Sequence, residues 1–391
     1  MKKAIVVGKT LLDDRSGGAL GTLADILAIR AIYGKNIKVV IPSEARERLE
    51  NEFDIEVIPV DSRSFIQSLV GAVTLTSIDR FQTFIDKNMD TLFGDANIVF
   101  FTGAVLGRHA GRITEQFGIP SVVFHRNYEK WYYRDTDTHF LLKKVHMIVS
   151  DRQQQKSWRD AELSLVRTSF DLNKIRESFG KTKKYAALYG YHEAVDPTQI
   201  PPETRIESSP LKIAITGSLS DLKNYVGIIW FIENVIEKIE QKNIPYEIVI
   251  AGKNPPDSIL SHARQRNITV IPNPPNINEV ISECDIYVNP CSQGSGVKVR
   301  NSDGPRNGLP IICHRDNAHG FEHLPTELMR QFKSPDNFIE QLENTVQWLD
   351  TTKDPKKTVF ELYCKYFSIE HGASELIKIM TDSGLGDCLP E

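Results

Sequence analysis

The sequence has 391 residues, more than one ordinary hydrophobic core holds, and this length predicts two domains of roughly 150–200 residues each. Hydrophobic residues make up 40% of the chain and charged residues 25%, as is typical of a soluble globular protein. The formal net charge of -4 argues against nucleic-acid binding by bulk electrostatics, and no apolar run approaches the roughly 20 residues of a membrane-spanning helix.

Short apolar runs alternate with helical patterns through the first half of the chain. The run Ala4–Val7 ends at Gly8, too early for the apolar core of a secretory signal, so it predicts a buried first strand. This alternation is typical of a doubly wound α/β sheet. Further strands are predicted at 37–41, 55–60, 98–101, 121–124 and 147–149, and helices at 20–33 and 110–117.

Prolines and polar residues interrupt this rhythm at 196–210, which indicates a linker. The alternation then restarts and predicts a second α/β domain, whose ligands would bind at the carboxyl ends of its strands. Near the end of the chain we expect one helix at 367–380 and a loose tail at 381–391. Strands are predicted at 213–216, 247–250, 268–271, 286–288 and 311–313, and a helix at 226–239.

The cysteines are odd in number and lack both C-x-x-C and zinc-ligand spacing, so we expect reduced thiols in a cytoplasmic protein. They are Cys284, Cys291, Cys313, Cys364 and Cys388.

A glycine-containing loop joins the first strand to the first helix. Gly8, Gly17 and Gly18 would let the backbone approach a ligand, and the free N–H groups of the helix would bind a phosphate. The spacing is neither a Walker A loop nor G-x-G-x-x-G. A plain helix-capping turn is the alternative interpretation.

The segment 294–312, GSGVKVRNSDGPRNGLPII, contains several candidate ligand-binding residues close together in sequence. Lys298 and Arg300 follow a glycine-rich turn, and two cations there suit a diphosphate whose charge grows as a glycosidic bond breaks. Asp303 can accept hydrogen bonds from both hydroxyls of a ribose. The alternative is a solvated surface turn with ordinary charges.

Four segments of the second half, by their order and spacing, resemble the nucleotide-binding half of retaining GT-B glycosyltransferases, the large family-4 group (glycosyl transferases group 1). They are IAITGSL at 213–219, EIVIAG at 247–252, CDIYVNP at 284–290 and the segment 294–312. The first half resembles the family more weakly, through residues 16–18, 118–125 and 149–150.

The resemblance implies a GT-B fold, in which two Rossmann-like doubly wound domains face each other across a cleft. It makes 1–200 the acceptor-binding domain and 201–391 the nucleotide-sugar-binding domain, with the C-terminal helix packing back on the first.

The resemblance also implies the residues that hold the donor. Lys298 and Arg300 take the diphosphate and act in catalysis. Asp303 replaces the second Glu of the family's E-x7-E motif, which usually holds the ribose, and Ser295 replaces the first Glu.

The remaining donor contacts would come from backbone and one lysine. Gly296, together with Ser295, is expected to offer N–H groups to phosphate, as are Gly17 and Gly18. Ser218 follows Gly217 where the family usually has an arginine, and Lys223 is the nearest substitute.

A polar cluster follows the strand predicted at 121–124. His125 is expected to touch the donor sugar or acceptor in catalysis, as a His does in similar transferases, although a capped surface histidine is an equal alternative. Arg126 and Glu129 are candidate acceptor-binding residues.

Asp135-Thr136-Asp137 resembles the metal-binding D-x-D of another glycosyltransferase architecture, but such tripeptides are frequent by chance. The GT-B family usually needs no metal, so no obligatory metal is expected. Lys143-Lys144 is most simply a solvated face, and binding to a membrane with a lipid-linked acceptor is the sharper alternative.

The sequence therefore predicts a glycosyltransferase that moves a sugar from a nucleotide-diphosphate sugar to a glycan, lipid-linked or protein-linked glycan acceptor. The resemblance implies retention, bacterial-type surface polysaccharide or glycoconjugate synthesis, and a cytoplasmic location, with the inner face of a membrane as the more specific alternative. Two alternatives stay open: a sugar-nucleotide epimerase of the same fold and a non-catalytic accessory subunit.

Overall fold

The structure, a computed structural model, describes residues 2–10, 12, 17–61, 80–134, 140–203, 209–263, 267–294 and 296–390. The chain forms two compact units. The first contains Met1–Ala194, Ser295–Val297 and Ile369–Glu391, and the second contains Val195–Gly294 and Lys298–Ser368. The division at residues 200 and 201 stays a prediction of the functional domain limits.

The first unit is built on a parallel sheet with the strand order β3-β2-β1-β4-β5-β6-β7 among its described residues. Its central strands are buried from end to end, as expected when helices cover both faces of a sheet. The strands are β1 (Ala4–Val7), β2 (Ile37–Pro42), β3 (Glu56–Val60), β4 (Ile98–Phe101), β5 (Ser121–His125), β6 (Leu163–Val166) and β7 (Tyr185–Ala187).

The helices of the first unit connect these strands, and a C-terminal helix, described below, joins them. They are α1 (Gly17–Tyr33), α2 (Arg46–Phe53), α3 (Arg80–Lys87), α4 (Met89–Phe93), α5 (Ala110–Phe117), α6 (Glu129–Arg134), α7 (Phe140–Asp160) and α8 (Ser169–Phe179).

The second unit has a parallel sheet with the strand order β10-β9-β8-β11-β12-β13. Alternate residues of β8, Ile213 and Ile215, are buried beneath Phe231 of the following helix and form its core. The strands are β8 (Leu211–Ser218), β9 (Tyr246–Lys253), β10 (Ile268–Pro272), β11 (Ile286–Asn289), β12 (Ile311–His314) and β13 (Met329–Phe332). The helices are α9 (Leu222–Asn234), α10 (Ile236–Gln241), α11 (Asp257–Ala263), α12 (Ile277–Ser282), α13 (Asp303–Arg306), α14 (Pro335–Thr351) and α15 (Pro355–Phe367).

The end of the chain belongs to the first unit, through α16 (Ile369–Asp382), which packs on α1. Leu376 and Met380 are fully buried in the core there. The predicted loose tail is wrong for residues 381–390: the Tyr33 hydroxyl donates to the Cys388 carbonyl oxygen at 3.0 Å, and Leu385 is buried.

The strand predicted at 147–149 is also wrong, because these residues lie inside α7. A three-residue apolar run fits a strand and one side of a helix equally well. Strands β6, β7 and β13 were not predicted. Within the described ranges, no helix has both the length and the apolar character needed to cross a membrane.

Candidate functional site

The strand order of the second unit's sheet reverses between β8 and β11, which are neighbours although six helices and strands separate them in sequence. Ligands of doubly wound sheets bind at such a switch point, beyond the carboxyl ends of the strands. Here β8 ends in Gly217 and Ser218, and β11 ends in Asn289.

Lys298 and Lys223 converge on the backbone of Gly294. A β-carbon placed on Gly294 would lie 2.7 Å from Nζ of Lys298 and 3.8 Å from Cδ of Lys223. The φ of Gly294 is +109°, which disfavours any L side chain. Lys223 stands in the first turn of α9, whose start is fixed by the Asp221 carboxylate accepting from the backbone N–H groups of residues 223 and 224.

Arg300 lies against the end of β8. Its Nη1 donates to Oδ1 of Asn224 at 2.6 Å, and Nδ2 of Asn224 donates to the Ser218 carbonyl oxygen at 2.8 Å. A β-carbon on Gly217, whose φ is +149°, would lie 3.0 Å from the same guanidinium nitrogen. The glycine therefore leaves room for the arginine at the switch point.

A buried network of asparagines holds the segment that carries Arg300. Nδ2 of Asn289 donates to Oδ1 of Asn301 at 2.7 Å, and Nδ2 of Asn301 donates to the Asn317 carbonyl oxygen at 2.9 Å. Nδ2 of Asn317 donates to the Cys291 carbonyl oxygen at 2.6 Å. Sequence reasoning missed these residues, since their spacing gives no signal.

Asp303 begins α13 and is partly buried, with Oδ1 3.7 Å from Nη1 of Arg306. It lies near Tyr287, whose pKa is raised mainly by burial and further by this carboxylate. Next to it, a β-carbon on Gly304 would lie 2.4 Å from Cβ of Tyr287, so the helix packs directly on β11. The ribose-binding role of Asp303 stays a prediction.

Ser295 and Gly296 are both predicted to bind phosphate through their backbone N–H groups, and the structure describes only Gly296. Ser295 lies outside the described residues. Gly296 groups with the first unit, and its N–H donates to Oδ2 of Asp171 at 3.2 Å. Its expected N–H bond to phosphate stays a prediction and would require this bond to break.

In the first unit, Gly17 and Gly18 begin α1 and are exposed. Nη1 of Arg126 donates to the Gly18 carbonyl oxygen at 2.9 Å, and its Nη2 lies 2.5 Å from Oδ2 of Asp25. Asp25 is buried and also pairs with Arg167. Arg126, predicted to bind acceptor, therefore anchors the first turns of α1, and its predicted role would use the remaining exposed edge.

His125 is fully buried. Its Nε2 lies 3.3 Å from Oγ of Ser164, and Nδ1 lies 3.4 Å from Nε2 of Gln154. Burial lowers the pKa of His125 to about 3, so the ring is neutral. These contacts favour a role in fixing the end of β5, and contact with sugar or acceptor stays a prediction.

Glu129 begins α6, where its backbone N–H donates to Oε1 of Gln154 at 2.9 Å. Burial raises the pKa of the Glu129 carboxyl to about 7, Asp171 adds to the rise, and Arg126 opposes it. Gln154, which sequence reasoning missed, also donates to the Asn127 carbonyl oxygen at 2.8 Å. It therefore ties the whole turn after β5 to α7.

The D-x-D tripeptide at 135–137 lies outside the described residues. In the part of the chain that is described, histidine, cysteine and carboxylate side chains nowhere gather into a group able to hold a metal ion. What the second unit does gather is Lys223, Lys298 and Arg300, a cation cluster suited to a multiply charged anion.

Two doubly wound α/β units are the architecture of the GT-B fold, and solved structures share this fold. The Anabaena HepE protein in complex with UDP aligns with a TM-score of 0.64 at 8% identity, over 97% of this chain and 100% of its own. The sucrose-phosphate synthase from Thermosynechococcus elongatus gives 0.64 at 12% identity, over 97% and 99%. The lipopolysaccharide outer core galactosyltransferase WaaB gives 0.65 at 10% identity, over 98% and 100%.

A family model matches part of the sequence. Residues 210–347, most of the second unit, match the model of the family described as "Glycosyl transferases group 1". This match supports the predicted family and enzyme class, and the solved structures confirm the predicted GT-B fold. A sequence comparison with curated proteins finds no match.

Proposed function

We propose that this enzyme transfers a sugar, with retention, from a nucleoside-diphosphate sugar held by the second unit to an acceptor held by the first. The acceptor is a glycan, free or linked to lipid or protein, in the synthesis of a bacterial-type surface polysaccharide or glycoconjugate. The enzyme works in the cytoplasm, at the inner face of a membrane, without an obligatory metal. The family match of residues 210–347 supports the reaction class, and the match to WaaB supports trying surface glycans first.

The observation that carries the donor assignment is the convergence of Lys223, Lys298 and Arg300 beside Gly217 and Gly294. When the bond between the anomeric carbon and the diphosphate oxygen breaks, the electron pair stays on the diphosphate. Cations already in place stabilise that charge more in the transition state than in the ground state, and this lowers the barrier. Because HepE has been solved with UDP, UDP-sugars are the first donors to test.

The test replaces Lys298 by alanine and measures release of nucleoside diphosphate in the presence of acceptor. We expect kcat to fall by about 10²–10³ with the fold intact, by analogy with the loss of one oxyanion donor. The matched control is Lys333→Ala, since Lys333 is an exposed lysine of the same unit outside the site. We expect its turnover to be unchanged.

Near-normal transfer by the Lys298→Ala enzyme would refute the donor assignment. A reaction without acceptor provides the second arm. A new sugar nucleotide formed there would identify an epimerase and contradict the proposed transfer.

A further inference from the structure

Arg300 is held at the candidate donor site by a neutral side chain. Its Nη1 donates to Oδ1 of Asn224 at 2.6 Å and lies 3.9 Å from Sγ of Cys291. Among the residues that the structure describes, no carboxylate lies within ion-pair distance of Arg300. The positive charge of the guanidinium is therefore not compensated by direct contact with an anion.

The acidic side chains close to this contact in sequence are engaged elsewhere. The Asp221 carboxylate caps the start of α9, and Oδ1 of Asp303 lies 3.7 Å from Nη1 of Arg306. Cations outnumber carboxylates here, so the region keeps an excess of positive charge. The ionisable side chains of segments 217–225 and 294–306 are Asp221, Asp303, Lys223, Lys298, Arg300 and Arg306.

Contacts at both ends of the Asn224 amide fix its orientation. Oδ1 accepts from Arg300 and lies 3.4 Å from the Cys291 thiol, a weak donor, while Nδ2 donates to the Ser218 carbonyl oxygen at 2.8 Å. A flipped amide would place its NH₂ group against the guanidinium and lose these contacts. Because Asn224 is only 4% exposed, water competes little for the bonds.

The contact with Asn224 uses one nitrogen of the guanidinium and leaves one edge for a ligand. Within the described part of the chain, Nε and Nη2 of Arg300 donate no hydrogen bond. A guanidinium edge of this kind donates two parallel bonds to the oxygens of a phosphate. A carboxylate in place of the amide would hold Nη1 more strongly, but it would also offset the charge that attracts the ligand.

We propose that Asn224 is a positioning residue for sugar transfer, whose amide oxygen orients the Arg300 guanidinium for the leaving diphosphate without neutralising it. Asn224 holds Nη1, and the edge formed by Nε and Nη2 takes two oxygens of the diphosphate. The uncompensated charge then stabilises the negative charge that grows on the diphosphate as the glycosidic bond breaks. The role of Asn224 rests on the proposed donor role of Arg300, and the experiment below separates the two.

Calorimetric titration of the full chain with UDP, and with inorganic pyrophosphate as a diphosphate without a base, measures dissociation constants. Arg300→Ala should weaken binding of both ligands about 10–100-fold, as expected for the loss of a hydrogen bond to a charged group. Asn224→Ala should weaken it about tenfold, by analogy with the outer-shell partners of metal ligands. In the Arg300→Ala chain, the same change at Asn224 should have an effect below about twofold, because Asn224 acts through the arginine.

The variant Asn224→Asp separates geometry from charge. It keeps the size of the side chain and the acceptor for Nη1 of Arg300, and it adds a negative charge beside the guanidinium. A purely geometric role predicts tighter UDP binding by Asn224→Asp than by Asn224→Ala. We expect binding at least as weak as that of Asn224→Ala, because the added carboxylate offsets the positive charge.

The matched controls are Asn234→Ala and Asn234→Asp. Asn234 ends the same helix, is exposed, and donates from Nδ2 to the Trp230 carbonyl oxygen at 2.8 Å. Both control variants should bind UDP like the original chain, and circular dichroism should show every variant folded.

Additive effects of Asn224→Ala and Arg300→Ala would show a general structural role for Asn224 and overturn the inference. Tighter UDP binding by Asn224→Asp than by Asn224→Ala would also overturn it. Unchanged binding by Asn224→Ala, with weak binding by Arg300→Ala, would overturn the inference alone and leave the donor assignment standing. Unchanged binding by Arg300→Ala, or no binding of either ligand by the original chain, would refute both.

Discussion

At the scale of single residues, the three cations of the second unit are held in different ways. Arg300 is fixed by Asn224, which is itself bound to the end of β8, so its guanidinium is oriented before any ligand arrives. Lys298 and Lys223 meet beside the backbone of Gly294 on flexible stems. A fixed planar arginine suits two oxygens of one phosphate, and the lysine ammonium groups are compact point charges that suit the charge which grows during bond breaking.

The desolvated carboxyl of Glu129, a partly buried residue, predicts a pH dependence of stability. Its pKa is raised from 4.5 to about 7, so between these values the folded chain holds a proton that the unfolded chain has released. The free energy of unfolding therefore falls as pH rises through this window. Glu129→Gln removes the effect, and at pH 8 the variant should be more stable by about 3 kcal/mol, while near pH 4 the two should agree.

Urea unfolding of both chains at several pH values measures this difference. The control is Glu370→Gln, because Glu370 also stands in the first turn of a helix but is exposed. The effect of Glu370→Gln on the free energy of unfolding should vary little with pH over the same pH range. An equally small pH dependence for Glu129→Gln would show that the Glu129 carboxyl is hydrated and titrates normally.

At the scale of elements, hydrophobic periodicity predicted the strands that are apolar throughout. It missed strands with polar residues, whose formation depends on pairing with a strand distant in sequence. The strand prediction at 98–101 matches β4, because four apolar residues in a row fit a strand covered on both faces. By contrast, β13 reads MRQF, and its two polar residues mask the pattern, although it pairs with β12 along its whole length.

In the candidate site too, residues that are close in sequence were predicted, whereas contacts between residues distant in sequence were not. The glycines and the cations of segment 294–312 stand close together in sequence, so a motif could predict them. Asn301 depends on Asn317, and His125 depends on Gln154, 29 residues away, and single-sequence patterns carry no signal for such pairs. The burial of His125 was missed for this reason.

Helix α16 offers a test of how the end of the chain stabilises the first unit. Leu376 is fully buried in the core shared with α1, so Leu376→Ala should lower the free energy of unfolding of this unit by about 2–5 kcal/mol. The neighbouring Ile377 is 40% exposed, and Ile377→Ala should change the free energy of unfolding by about 0.5 kcal/mol or less. Hydrogen exchange of the buried strands β1 and β4 in increasing denaturant measures both effects in the first unit. Equal effects of the two variants would contradict the packing of α16.

At the scale of the whole molecule, the second unit is nearly continuous in sequence, whereas the first is completed by residues 369–391 from the other end of the chain. The family match covers only 210–347, so sequence similarity is concentrated in the unit assigned to the donor. In the proposed function, the first unit fits a particular acceptor, whereas all nucleoside-diphosphate sugars share the diphosphate bound by the second. A family match confined to the second unit is what these separate tasks predict.

This division predicts where a nucleotide acts. A nucleoside diphosphate at 100 times its dissociation constant should raise the free energy of unfolding by about 2.7 kcal/mol, because it binds only the folded chain. Hydrogen exchange should show the added protection in the core strands of the second unit, β8 and β11, and not in β1 and β2.

UDP, GDP and dTDP, free and sugar-linked, test the choice of base. CMP and its sugar, with one phosphate, should stabilise less, because three cations converge on the site. Lys298→Ala should reduce the effect of a diphosphate toward that of CMP. Equal stabilisation by mono- and diphosphates, or protection confined to the first unit, would place the nucleotide elsewhere.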